Sequence, residues 1–431
     1  MYRARLNKVV LYTFCCTIFI FFIILLKMSQ MPNNIFLLEG ENHLFDVRLP
    51  INVSVDSTGS DIKLNGSELN GDKVNLNLSS PFKIQSEKNG KTDLSIRFLG
   101  IIPLKHVTIN VIPQVSVIPG GQSVGVKLNT KGVMVVGTSK VESAEGIELS
   151  PCTDSGIRIG DTILKINNHL VKDGDHVSKL INSCEGKILK FTIIRKEKEL
   201  EINVKPVKSK EDNRYKIGAW IRDSTAGVGT LTFYCPHNDT FGALGHPITD
   251  VDTGVIMTVD SGKIVPSKII SIQPGMRGRP GELRGLFLDD EEDLGTIEKN
   301  TSSGIYGKTF KNPVNNIYSQ PIPVGLQNQI KEGPAKILTT INGTSIEEYD
   351  IVIEKLTPQS KPNPKSMIIK VVDEELLQKT GGIVQGMSGS PIIQDGRLVG
   401  AVTHVFINRP DMGYGIYIEW MLKEAGIELK K

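Results

Sequence analysis

Only five cysteines occur in the 431 residues, and no two stand at C-x-x-C spacing. Neither a structural zinc site nor a dithiol redox motif can be assembled from them. Cys15 and Cys16 lie in an apolar run, which leaves Cys152, Cys184 and Cys235 for the folded parts. That odd remainder makes a poor disulfide framework; a bridge between Cys152 and Cys184 stays open, and inert small apolar residues are the expectation. Charge is equally sparse. A formal net charge of +3, with no block of like charge and no low-complexity tract, gives no footing for nucleic-acid binding or a disordered tail. Seven scattered histidines form no H-E-x-x-H pair, and Gly227-Val228-Gly229 is followed by no Gly-Lys-Ser/Thr. Metal and phosphate-loop chemistry are therefore not expected, and no cofactor is implied.

What is plentiful is turn chemistry. With 42 glycines, 22 prolines and an apolar fraction of 39%, the chain should build many short strands in roughly three domains. Arg3, Arg5 and Lys8 precede an uncharged apolar run over residues 9–26. As a helix this run spans about 27 Å, close to a bilayer core. The positive flank keeps the tip cytoplasmic and sends the rest across, and no A-x-A site follows, so an uncleaved signal anchor occupying residues 1–30 is expected. Residues 31–112 alternate with period two and read as a β-rich spacer, with turns at Gly59, Gly66, Asn89-Gly90 and Pro103. His43 and His106 there are lone histidines without visible chemistry.

Residues 113–207 contain SGIRIGDTILKINNHLV, a short helix-like HVSKLINSC and a closing hairpin. This stretch resembles a PDZ domain of the kind attached to extracytoplasmic proteases. The resemblance implies that an extended peptide adds a strand beside the one starting near Val126, while the amides of Ser123, Val124 and Gly125 capture a carboxylate. A charged linker follows at residues 205–216. Further on, the basic glycine loop at 274–280 and the acidic run at 289–293 read as solvated surface.

Residues 208–431 carry the chemistry. Gly386-Met387-Ser388-Gly389-Ser390-Pro391 places a serine between glycines, as chymotrypsin-like hydrolases do at their nucleophile. The flanking glycines allow a tight turn that directs the Gly386 and Ser388 amides into an oxyanion hole, where one donor is worth about 3 kcal/mol of barrier. Ser390 is the rival nucleophile, disfavoured because it precedes Pro391. For the base, His246 and His404 are the candidates. His246 comes from the other half of a double barrel, whereas His404 follows the strand after the nucleophile and so lines the cleft. For the orienting acid, Asp250, Asp252, Asp260 and Asp373 all remain open.

GALGHPI around His246, GGIVQGMSGSPI at residues 381–392 and GAVTHVF at residues 400–406 together resemble the stage IV sporulation protein B peptidase family of endospore-forming Firmicutes. The likeness extends over nearly the whole chain. It implies a mainly β architecture of membrane helix, spacer, PDZ and chymotrypsin-like double β-barrel. It also implies a triad of His246, Asp373 and Ser388, although Asp373 lies only 15 positions before the serine. In function it implies a protease exported from the forespore, lodged in the inner forespore membrane and facing the intermembrane space. Such a protease cleaves itself and the extracytoplasmic part of a membrane regulator that silences an intramembrane protease, which triggers sigma-factor precursor processing. A membrane-tethered PDZ scaffold with a silent protease fold is the alternative.

Overall fold

A computed structural model describes residues 2–31, 33–40, 42–58, 62–69, 73–86, 88, 90–196, 198–288 and 291–427. The turns expected at Gly59 and Asn89, and Asp289 of the acidic run, lie outside them. The chain divides into two compact units, one built on residues 1–115 and the other on residues 116–325 and 331–427.

The first unit opens with the helix Tyr2–Gln30. Many side chains of its apolar run, including those of Val9, Val10, Leu11 and Ile20, are outside the described residues. Among the described residues no helix is long and apolar enough to cross a membrane. After it comes a five-stranded sheet, in which Asn34–Leu38 pairs in parallel with Ile102–Ile112, and a four-stranded sheet around Phe82–Ser86. Alternation does what the period-two reading requires. Leu94 and Ile96 point inward with Val53, Val55, Val107 and Ile109 to make the core. The turn expected at Pro103 falls earlier, at residues 99–101, and Pro103 joins the next strand.

In the second unit the PDZ elements appear as expected: strands Thr162–Ile166, Leu189–Arg195 and Lys198–Val204, and the helix Gly174–Asn182, capped by Asp173 accepting from His176 N at 2.7 Å. The hallmark I-R-I-G-D has a physical reason. Asp161, 1% exposed, accepts from Arg158 N and takes Arg195 in a bidentate pair at 2.7 and 2.6 Å. Cys152 and Cys184 sit in this core as free thiols, and burial, with Asp161 nearby, pushes Cys152 up to about 11, which makes it inert.

The peptidase half is not sealed off from the PDZ. The 16-residue strand Ser123–Thr138 and the 17-residue strand Ala219–Cys235 run antiparallel through both. The residues before the bulge at 129/134 pair within the peptidase, and those after it pair with the PDZ strand Thr162–Ile166. The expected double barrel is present: Ser123–Thr138, Val259–Gln273, Gly295–Thr301, Gly304–Thr309, Thr240–Ala243 and Ala219–Cys235 pair in a closed ring whose first and last strands continue into the PDZ, and a second closed barrel follows it. That barrel has six strands in the order Gly333–Thr339, Glu347–Leu356, Met367–Val371, Arg409–Tyr417, Arg397–Phe406 and Pro391–Gln394.

Asp161→Ala leaves the Arg195 guanidinium without its carboxylate. We expect a loss of about 3 kcal/mol in urea unfolding of the full chain. A change below about 0.5 kcal/mol, the range of ordinary surface substitutions, would contradict this account of the hallmark.

Candidate active site

The nucleophile loop is held from behind by one strand. On Ala219–Cys235, Thr230 N donates to the Ser388 carbonyl at 3.0 Å, and Thr230 Oγ1 donates to the Gly386 carbonyl at 2.8 Å. Thr232 Oγ1 donates to the Gly389 carbonyl at 2.8 Å. Two threonines two positions apart face the same side of a strand, so one face supplies both hydroxyls. Gly389, at φ +97°, is obligatory here because a Cβ would lie 2.1 Å from the Thr230 carbonyl oxygen. Turned this way, the loop leaves the Gly386 and Ser388 amides without a protein acceptor among the described residues. They are the two donors an oxyanion needs. Ser388 is partly exposed, and its Oγ donates to the Thr403 carbonyl at 2.8 Å. Ser390 is fully buried and its hydroxyl has no partner among the described residues, which removes it as the rival nucleophile.

His246 arrives from the turn after Thr240–Ala243. Leu244 and Gly245 both take left-handed backbone, at φ 70° and 69°. Held strain of this kind in a leucine is common beside functional groups. A Cβ on Gly245 would meet Thr403 Cγ2 at 2.9 Å, so glycine lets the histidine turn press against the strand that carries Thr403 and His404. The His246 and His404 rings stand 5.0 Å apart between centroids. His246 Nδ1 lies 2.8 Å from the Pro247 carbonyl, which can only accept, so Nδ1 carries the proton and Nε2 is free to act as a base. Ser388, His246 and His404 therefore gather around Thr403, with both ring systems short of a direct hydrogen bond to the serine among the described residues. The described residues contain no group of three or more His, Cys, Asp or Glu able to hold a metal ion.

Residues 213–422 match the family model of the SpoIVB peptidase S55, and residues 123–205 match that of a PDZ domain. The chain is a PDZ-containing serine peptidase of the SpoIVB type. Similar solved structures include the PDZ domain of the SdrC-like protein Lmo2051 from Listeria monocytogenes, at 20% identity over 21% of this chain and 87% of that one, TM-score 0.17. Another is the active form of the Rv3671c protease from M. tuberculosis, at 14% identity over 48% and 77%, TM-score 0.26. A third is the HtrA-type protease AlgW with tripeptide, at 15% identity over 47% and 56%, TM-score 0.28. No curated relative matches the sequence.

In this SpoIVB-type peptidase none of the four acidic candidates hydrogen-bonds to the His246 imidazole among the described residues. Asp373 caps the helix Glu374–Thr380, accepting from Leu376 N at 3.0 Å and from Asp350 N at 3.3 Å. Asp250 and Asp252 both pair with Arg222, and Asp260 is exposed on the strand Val259–Gln273. Among the described residues, the group on His246 Nδ1 is the Pro247 carbonyl.

The peptide edge expected at Ser123, Val124, Gly125 and Val126 must be corrected. All four are buried and paired with residues 227–230 of one neighbour, and Val124, Gly125 and Val126 are paired on the other side as well, with Pro266, Val265 and Ile264. A strand with two partners has no row of free amides for a third. The PDZ sheet instead ends at residues 219–222, which pair with Thr138, Gly137, Val135 and Met134 and, among the described residues, with no second strand. This edge runs beside the helix Gly174–Asn182, whose first amide donates to Asp223 Oδ2 at 2.9 Å. It is the open edge of the SpoIVB-type PDZ.

Burial lowers the pKa of both imidazoles. His246 is lowered by burial despite the opposing Pro247 carbonyl. His404 is brought down to about 4 by burial, the His246 ring and Lys365. Both are neutral at pH 7. An unfolded chain takes these protons near 6.5, so this contribution to stability is present above 6.5 and lost as pH falls below it. The acid limb of kcat/KM should lie below 6.5, measured on the full chain with a peptide substrate. A limb above 6.5 would contradict the environment described for His246.

Proposed function

We propose that this peptidase is a regulatory serine endopeptidase of sporulation. In this reading residues 9–26 anchor it in the inner forespore membrane with the catalytic part in the intermembrane space. It cuts itself near its N-terminus and the extracytoplasmic part of a membrane regulator, releasing an intramembrane protease that processes a sigma-factor precursor. The observation that carries the chemistry is the pair of unpartnered amides, Gly386 and Ser388, beside a partly exposed Ser388 hydroxyl and an imidazole with a free Nε2.

The path is acyl transfer. Ser388 Oγ leaves the Thr403 carbonyl, gives its proton to His246 Nε2 and bonds to the scissile carbonyl carbon, whose oxygen turns into the two amides. The imidazolium then protonates the leaving amine as the C–N bond breaks, and water hydrolyses the acyl-enzyme by the same base. Asp373, the acid implied by family resemblance, is engaged as the cap of its helix, so this path has the Pro247 carbonyl on His246 Nδ1. The anchor is supported by the basic start of the chain and by Tyr12, Phe14, Ile18, Phe19, Phe22 and Leu26, which stand exposed along the first helix. The PDZ match supports peptide binding, which we assign to the edge at residues 219–222.

The alternative, a tethered PDZ scaffold with a silent protease fold, has one observation in its favour: Ser388 Oγ rests on Thr403 and not on an imidazole. A fluorophosphonate probe on the full chain separates the two readings. Labelling at Ser388 is expected, with Ser388→Ala losing peptide hydrolysis on the order of 10⁶-fold. Ser390→Ala, which removes a buried unpaired hydroxyl, should keep activity within about twofold at undiminished stability. Folded wild-type chain that is neither labelled nor active would establish the scaffold.

A further inference from the structure

The loop that begins with His246 is fastened from two directions. From the peptidase sheet, Asn300 Oδ1 accepts from Ile248 N at 2.8 Å, and its Nδ2 donates to the Ile248 and Met257 carbonyls at 2.8 and 2.9 Å. From the PDZ side, Arg222 reaches Asp250, whose side chain is 0% exposed, and Asp252 at 2.7 Å. Asp250 is the knot of the loop. Its Oδ1 accepts from Asp252 N, Thr253 N and Thr253 Oγ1, at 3.1, 2.9 and 2.9 Å, while Oδ2 takes the arginine. Burial raises its pKa, but the Thr253 bonds and Arg222 outweigh that and keep it below the ordinary range. The same loop touches PDZ residues twice more, through Thr253 Oγ1 on Met134 Sδ at 3.7 Å and Val255 beside Gly160.

Arg222 belongs to the open edge of the PDZ sheet, where it stands opposite Met134. Anything that shifts this edge moves the guanidinium, and with it the only cation that the described ion pairs give to Asp250. We propose that Arg222 is a positioning residue for the catalytic base, so that the placement of His246 depends on the state of the PDZ edge. This rests on His246 being the base, and it goes beyond that reading by naming how the PDZ reaches the chemistry. The ion pair touches no substrate. It acts by fixing the loop four residues downstream of the imidazole, where a displacement of about 1 Å at the reacting atoms costs up to 100-fold in rate.

The test uses the full chain with Arg222→Ala, Arg222→Lys and Asp250→Asn, first checked for Ser388 labelling in the wild type. Arg222→Ala should lower kcat roughly 10- to 100-fold with KM nearly unchanged. Arg222→Lys, which keeps the charge, should recover most of the loss. Asp250→Asn, which keeps the turn's hydrogen-bond acceptor and removes the charge, should behave like Arg222→Ala. In parallel, the imidazole resonance of His246 in specifically labelled protein should shift in Arg222→Ala and return towards wild type in Arg222→Lys. That readout holds even where wild type proves inactive, so failure of the peptidase reading stays distinct from failure of this one. Unchanged kcat and an unmoved His246 resonance in folded Arg222→Ala, or a loss that lysine does not relieve, would overturn the proposal. Should Arg222→Ala fail to fold, the kcat and resonance of Asp250→Asn decide it in the same way.

Discussion

Three hydrogen bonds from one strand make the catalytic loop what it is. By holding the carbonyls of Gly386, Ser388 and Gly389, Thr230 and Thr232 turn the peptide planes so that those oxygens are satisfied inside and the Gly386 and Ser388 amides are left facing outward. A buried carbonyl without such a donor would cost about 1–3 kcal/mol, so the loop is stable in this form and strained in others. Glycine at 389 permits the approach, since any side chain would collide with the Thr230 carbonyl.

That strand is also the reason the PDZ is not a detachable module. Its first residues complete the PDZ sheet, and Ile217, Ala219 and Ile221 pack on the PDZ core. Its later residues hold the nucleophile loop, and Arg222 between them grips the turn that carries the base. The edge at residues 219–222 and the strand positions that hold the Ser388 loop are thus joined by continuous, hydrogen-bonded backbone, the physical connection that the proposed coupling requires.

The local parts of this arrangement were legible in the sequence. A serine turn flanked by glycines, a histidine after an apolar strand and the PDZ helix and hairpin all depend on neighbours a few residues away. Pairings between distant segments were not. Ser123 through Val126 resemble a PDZ edge in composition, and only the choice of partners shows that Val124, Gly125 and Val126 are filled on both sides. Asp373 was different, because its signal was present: an aspartate followed by Glu374, Glu375 and an apolar pair, with Gly381 at the far end, is a helix with both caps. The Pro247 carbonyl on His246 leaves no trace in a residue pattern, since every residue has one. Thr230 and Thr232 could have been suspected from their two-residue spacing, but not assigned.

The central claim is that Ser388, His246 and the two free amides form one working site. A structure of the full chain with a phosphonate bonded to Ser388 Oγ tests it most directly. The account predicts the phosphonyl oxygen about 2.7–3.1 Å from the amides of Gly386 and Ser388, with His246 Nε2 turned to Ser388 Oγ. A phosphonyl oxygen bound elsewhere, or a His246 ring still out of reach of Ser388, would contradict it.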